Sequence, residues 1–328
     1  MLKLQSVWIF VKSNMLFFAM MVGIVVGVLE KYGLWLWHAP EWVIPVLLFS
    51  MLFFSFCKVN PLELRIYKWH IVLMCFQIVG CLLLYFCLRP FSSVLAQGML
   101  LCVLMPTATA APIVAAKLGG SIPQLTTYVL LSNIMTALLV PLIFPVIYPA
   151  LEITYSDRFI QIILHISPLL FGPFFAAWAV RIIYDATMRV MHKDEHFHLS
   201  GGLSQLPFYL WTCLITILIA RTTHTLLTYN EDRWPVLWLM LGSFMACLAQ
   251  FFLGRYVGGR LPQQQTKPAA QVTAGQALGQ KNTALAIWMA HAWLHPLVAL
   301  APATYIIWQN IFNSWQLFQA GRGQKSHG

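Results

Sequence analysis

About ten stretches of some twenty apolar residues follow one another along this chain of 328 residues, with only short gaps between them. A helix rises about 1.5 Å per residue, so about twenty residues cross the roughly 30 Å hydrocarbon core of a bilayer. Charged residues make up only 9% of the chain, against about 25% in a soluble domain. That shortfall is too large for a soluble protein with a big core. The expectation is an all-α polytopic membrane protein with nearly its whole length in the membrane and no room for a separate soluble domain.

The spans are expected at 13–29, 41–57, 69–88, 94–116, 124–148, 158–182, 203–226, 235–255, 271–292 and 295–316. The start, with Lys3 and Lys12 before an apolar run, resembles a signal sequence but has no small-x-small cleavage site after it, so it reads as the first span. One side of the membrane collects Lys3, Lys12, Lys58, Arg65, Lys68, Lys117, Arg181, Arg189, Lys193, Arg255, Arg260, Lys267, Arg322 and Lys325. The other holds Lys31, Arg89, Arg158, Arg221 and Arg233. Fourteen against five makes the first side cytoplasmic, which predicts an inner-membrane protein with both ends in the cytoplasm. The formal charge of +10 is mostly this bias and needs no nucleic-acid partner.

All ten acidic residues, Glu30, Glu41, Glu63, Glu152, Asp157, Asp185, Asp194, Glu195, Glu231 and Asp232, fall in loops or at span ends. The spans contain one obvious charge, Lys281, about ten residues from either end of the ninth. That is too deep for easy snorkelling, so a functional role is expected. Two spans are interrupted. The fourth carries Pro106-Thr107-Ala108-Thr109-Ala110-Ala111-Pro112 and the ninth Gly279-Gln280-Lys281-Asn282-Thr283. Proline removes a backbone donor and clashes with the preceding turn. Unpaired backbone is tolerated in a membrane only where protein or a cavity surrounds it. Interruptions at corresponding places in two halves point to a transporter's binding site. Because each half has five spans, the halves, 1–155 and 156–328, are inverted repeats.

Thr126, Asn133 and Thr136 share one face of the fifth span, Gln77 lies mid-span in the third and Asn310 in the tenth. Each alone reads more simply as a helix–helix hydrogen bond. The seven cysteines read as buried small residues. His165, His291 and His295 offer a second proton route, and without an acidic partner nearby the His291/His295 pair is not expected to bind metal. No cofactor is expected.

The motifs resemble those of the bile acid:sodium symporter family, the chain looking like a divergent bacterial-type member. Leu48-Phe49-Ser50-Met51 and Asn60-Pro61-Leu62-Glu63-Leu64 resemble the family's second helix and following turn. Pro106-Thr107-Ala108-Thr109-Ala110 resembles its Pro-Gly-Gly-Thr-Ala crossover, Gly279 to Ala286 its Gly-Met-Gln-Asn-Ser-Gly-Leu-Ala crossover, and Trp308-Gln309-Asn310 the Trp-His-Asn of its last helix. The resemblance implies a panel of helices 1, 2, 6 and 7 and a core of helices 3–5 and 8–10. It also implies that helices 4 and 9 cross at unwound middles, with substrate between the two domains. It places Thr109, Asn282, Thr283, Gln309 and Asn310 at substrate-facing positions, and the isolated charge Lys281 is expected to join them; Pro106, Pro112, Gln77, Thr126, Asn133, Thr136 and Gln280 are expected in the crossover or coupling region.

The departures bear on the coupling ion. Where sodium-using members carry a Glu, two residues before the ninth-helix Gly, this chain has Ala277. The sodium-ligating Gln becomes Lys281, and a Ser-Asn in the fourth helix becomes Ala111-Pro112. Hard cations need oxygen ligands, and an ammonium about 5 Å from sodium opposes it by roughly 3 kcal/mol at an effective dielectric of about 20. The expectation is therefore a sodium-independent carrier of a small organic anion, with Lys281 as a tethered cation that hydrogen-bonds carbonyls exposed by the fourth-helix break. A Lys281 that releases its proton during the cycle gives proton coupling; a fixed charge gives uniport or exchange. The alternatives are a sodium-coupled symporter of the bile acid type and a transport-inactive sensor. An enzyme is not expected, because neither a Ser-His-Asp nor an HExxH pattern appears.

Overall fold

The computed structural model describes residues 15–34, 39–59, 64–147, 154–191, 197, 201–230, 233–261 and 265–325. The expectations resting on 1–14, on Asn60-Pro61-Leu62-Glu63 and on nearly all of the 192–200 loop lie outside the described residues. The helices are α1 (Met15–Lys31), α2 (Val43–Phe56), α3 (Lys68–Leu88), α4 (Ser93–Leu104), α5 (Ala111–Lys117), α6 (Ile122–Ile147), α7 (Tyr155–Val190), α8 (Leu206–Thr228), α9 (Trp234–Arg260), α10 (Lys267–Gly279), α11 (Thr283–Trp293) and α12 (Leu300–Lys325). Short 3-10 turns at Gly201–Gln205 and Pro296–Ala299 lead into α8 and α12. Among the described residues there is no strand beyond one isolated bridge, Thr107 to Lys281.

Among the described residues five helices, α3, α6, α7, α8 and α9, are long and apolar enough to cross a membrane, and α2 and α4 are apolar but shorter. Their surfaces explain why lipid suits them. On α3 the face formed by Trp69, Leu73, Gln77, Cys81 and Tyr85, four residues apart, is buried. The opposite stripe of Ile71, Phe76, Val79, Leu83 and Phe86 is exposed. Such a stripe opposes folding in water and costs nothing against acyl chains. The chain is an all-helical, membrane-embedded protein.

The helix bounds differ from the apolar runs where polar residues continue a helix. The sixth expected span, 158–182, lies inside the 36-residue α7. Arg181, Asp185 and Arg189 mark where apolar sequence stops but do not break a helix. Asp157 in the first turn and Arg189 in the last also suit the helix dipole. The ninth, expected from 271, begins at Lys267, where Pro268 occupies a first-turn position that needs no N–H.

The chain forms two compact units. One holds α1, α2, α8 and α7 from Pro173 onward; the other holds α3–α6, the earlier part of α7 and α9–α12. In the first, Gly23 and Gly27 of α1 lie against α8, where an added Cβ would come within 2.7 Å of Thr216 O and 2.4 Å of Ala220 O. In the second, Gly254 and Gly258 of α9 lie as closely on the Ala274 and Ala270 carbonyls of α10. Small residues four apart let backbones meet, the usual means of packing helices where lipid removes the hydrophobic drive.

Candidate functional site

The second unit contains both interrupted segments. Pro106 disfavours the helical region for the residue before it, and Met105 accordingly leaves α4 with ψ 146°. The chain stays extended or turned until α5, where Pro112 sits at a first-turn position and its missing N–H goes unnoticed. The second break is set differently. Gly279 ends α10 against the ring of Phe251, which a Cβ would overlap at 2.4 Å. Asn282 then starts α11, its Oδ1 accepting from Leu285 N at 3.3 Å.

The two extended pieces pair antiparallel. Ala108 N donates to Gln280 O at 2.9 Å and Asn282 N to Pro106 O at 2.8 Å, placing Thr107 opposite Lys281. Each of these two residues then reaches into the other's helix. Lys281 Nζ donates to Val103 O at 2.9 Å, four residues before Thr107. Thr107 Oγ1 donates to Ala277 O, four residues before Lys281. Both acceptors lie in the last turn of a helix, where carbonyls lack helical partners and the dipole is negative.

The other carbonyls of α4's last turn are also taken. Cys102 O accepts from Gln250 Nε2 at 3.1 Å. Leu104 O accepts from Gln77 Nε2 at 2.8 Å and Thr136 Oγ1 at 3.1 Å, and Met105 O from Gln77 Nε2 at 2.9 Å. The breaks therefore leave less unpaired than two prolines suggest, because α3, α6, α9 and α12 each supply side chains to them.

Those side chains come in matched sets. In the first half, Gln77 of α3 accepts from Tyr128 OH of α6 at 3.2 Å, and Ser132 Oγ, four residues past Tyr128, accepts from Thr107 N at 3.1 Å. In the second, Gln250 of α9 donates to Tyr305 OH of α12 at 3.1 Å. Gln309 Oε1, four residues past Tyr305, accepts from Lys281 N at 3.0 Å. Tyr305 OH also donates to Gly279 O at 2.8 Å. The sequence carries a trace of this in Tyr128-Val-Leu-Leu-Ser-Asn-Ile and Tyr305-Ile-Ile-Trp-Gln-Asn-Ile. Comparing the segments after each break would have found Tyr128, Ser132 and Tyr305, which reading each span alone passed over.

Of the residues expected at the site, Gln77, Pro106, Thr136, Lys281, Asn282 and Gln309 meet at the crossing through the bonds above. Thr283 is buried as the first residue of α11, and Thr109 is half-buried in the first break. Asn133 and Asn310 donate to their own helices, at Val129 O and Ile306 O, both 2.7 Å. Thr126 is half-buried on α6 and makes no side-chain hydrogen bond among the described residues. Gln280 Oε1 and Asn282 Nδ2 are buried with no partner among the described residues.

Lys281 is 2% exposed and, among the described residues, is the one Lys, Arg, Asp or Glu side chain that is buried. Its electrostatic neighbours are the thiols of Cys81 and Cys102. The described residues contain no cluster of three or more His, Cys, Asp or Glu able to hold a metal ion. What the arrangement supplies is a single buried amine at the negative end of α4, beside two strands of backbone held in register. No protein-family model matches the chain, and comparison with curated proteins finds none significantly similar to it.

Proposed function

We propose that this protein is a secondary carrier that moves a small organic anion across the inner membrane by alternating access, without sodium. Lys281 takes the place of the coupling cation, supplying the positive charge that meets the anion. The observation that carries this reading is the bond from Lys281 Nζ to Val103 O. A positive charge at a helix C-terminus is favourable by about 0.3–2 kcal/mol, and a tethered amine that can take up a proton supplies it at any sodium concentration.

The reciprocal pairing of Thr107 and Lys281, with the matched Gln-Tyr sets around it, supports a ten-span chain of two inverted repeats crossing at spans 4 and 9. The division into two compact units, one with α1, α2 and α8, supports a panel and a core of the bile acid:sodium symporter type. The fourteen-to-five excess of Lys and Arg supports cytoplasmic ends. Substrate recognition falls to the polar groups of the breaks and α12, among them Thr109, Asn282, Thr283 and Asn310.

Uptake of a panel of labelled organic anions into proteoliposomes, comparing wild type with Lys281→Gln, tests the reading. The glutamine keeps a donor and loses the charge, so uptake should stop or slow at least tenfold while the protein still folds. Unchanged uptake by a folded Lys281→Gln protein sinks the proposal.

A further inference from the structure

We propose that Lys281 couples the carrier to protons, being held as a neutral amine in the empty protein and taking up a proton only together with the anionic substrate. The inference rests on the carrier reading above and chooses among its possible modes of coupling.

An ammonium presents three donors. Nζ of Lys281 has one acceptor among the described residues, Val103 O, and its side chain is closed off from water. Other acceptors around the breaks are either engaged or, like Gln280 Oε1 and Gln250 Oε1, buried without being bonded to Nζ. Gln309 Oε1 takes the Lys281 backbone N–H, while Leu104 O and Met105 O take Gln77 and Thr136. A buried charge needs a partner charge as well as hydrogen bonds.

The titratable groups facing this region are Cys81 of α3, Cys102 of α4, Tyr128 of α6, Cys247 of α9 and Tyr305 of α12. Lys267 and His291, the titratable groups of α10 and α11, lie ten or more residues along those helices. None of these groups is a carboxylate, and no described Asp or Glu is buried. A neutral amine suits one carbonyl; an ammonium waits for an anion.

A carboxylate brought to about 6 Å from Nζ favours the proton about a hundredfold at an effective dielectric of about 20. By linkage the proton favours the carboxylate equally. A proton from water joins the amine lone pair as the anion binds, and returns to water as the anion leaves. One proton travels with each anion, so a monovalent anion moves without net charge. A lysine fixed in the ammonium form would move the anion alone.

Two measurements decide it. Solid-state 15N spectra of lysine-labelled protein in lipid at neutral pH identify Lys281 as the signal missing from Lys281→Gln. The expected signal lies in the neutral-amine range, and an ammonium signal in the empty protein overturns the coupling while leaving the carrier reading untouched. Proteoliposomes containing a pH dye, given pyruvate, succinate or taurocholate with membrane potential clamped at zero, should then acidify in step with anion entry. Anion entry without acidification overturns the coupling alone. Entry of no anion in the panel counts against the carrier reading and so against both.

Discussion

Replacing Gly258 by alanine should loosen the seam between α9 and α10 and, through it, the crossing. An added Cβ would lie 2.4 Å from Ala270 O and 2.8 Å from the Ala274 Cβ. Ordinary contact begins near 3.4 Å, so the helices must part by about 1 Å, and no side-chain rotation relieves a clash with a carbonyl. Overpacking of this kind costs about 1–3 kcal/mol. Because α10 delivers Ala277 O to Thr107 and Gly279 O to Tyr305, the same movement pulls at both bonds. Gly259 is the control. Its added Cβ would meet chiefly the end of the Gln271 side chain, 2.7 Å away at Nε2, which can swing aside. Thermal unfolding of the purified variants in one detergent should show Gly258→Ala clearly destabilised and Gly259→Ala close to wild type. Equal stability of the two, or a larger loss at Gly259, refutes the packing argument.

Gln77→Leu removes the donor to Leu104 O and Met105 O and the acceptor of Tyr128 OH. It should cost about 1–3 kcal/mol in chemical denaturation, and a neutral result would mean that water readily replaces the amide. Tyr305→Phe should cost a similar amount, because it strips Gly279 O of its hydroxyl donor and Gln250 of its acceptor. Ala277→Glu combined with Lys281→Gln restores a carboxylate and removes the opposing ammonium. Thermal shifts should then become sodium-dependent in the double variant and in neither single one; sodium dependence of Lys281→Gln alone would show that oxygen ligands already suffice.

The apolar runs made the helices legible, and Pro106, Pro112 and Gly279 marked the places where two of them stop. The prolines could not reveal that they act differently. Pro106 turns Met105 out of a helix, whereas Pro112 merely begins the next one. Lys281 was visible as an isolated charge, but its direction was not, because the pairing with Thr107 depends on a register that only three-dimensional packing fixes. The close approaches at Gly23-x-x-x-Gly27 and Gly254-x-x-x-Gly258 had a signature in the sequence that lies hidden among other small apolar residues. Thr126 shares a helical face with Asn133 and Thr136 but, unlike Thr136, makes no side-chain bond to the crossing, since a shared face says nothing about depth along the helix.

The most direct measurement is a thermal-shift series on the purified protein with a panel of organic anions, each in sodium and in choline buffer. A sodium-independent carrier with Lys281 in place of sodium predicts a ligand that stabilises the protein equally in both. Stabilisation confined to sodium buffer would contradict it, showing that a sodium site operates beside Lys281.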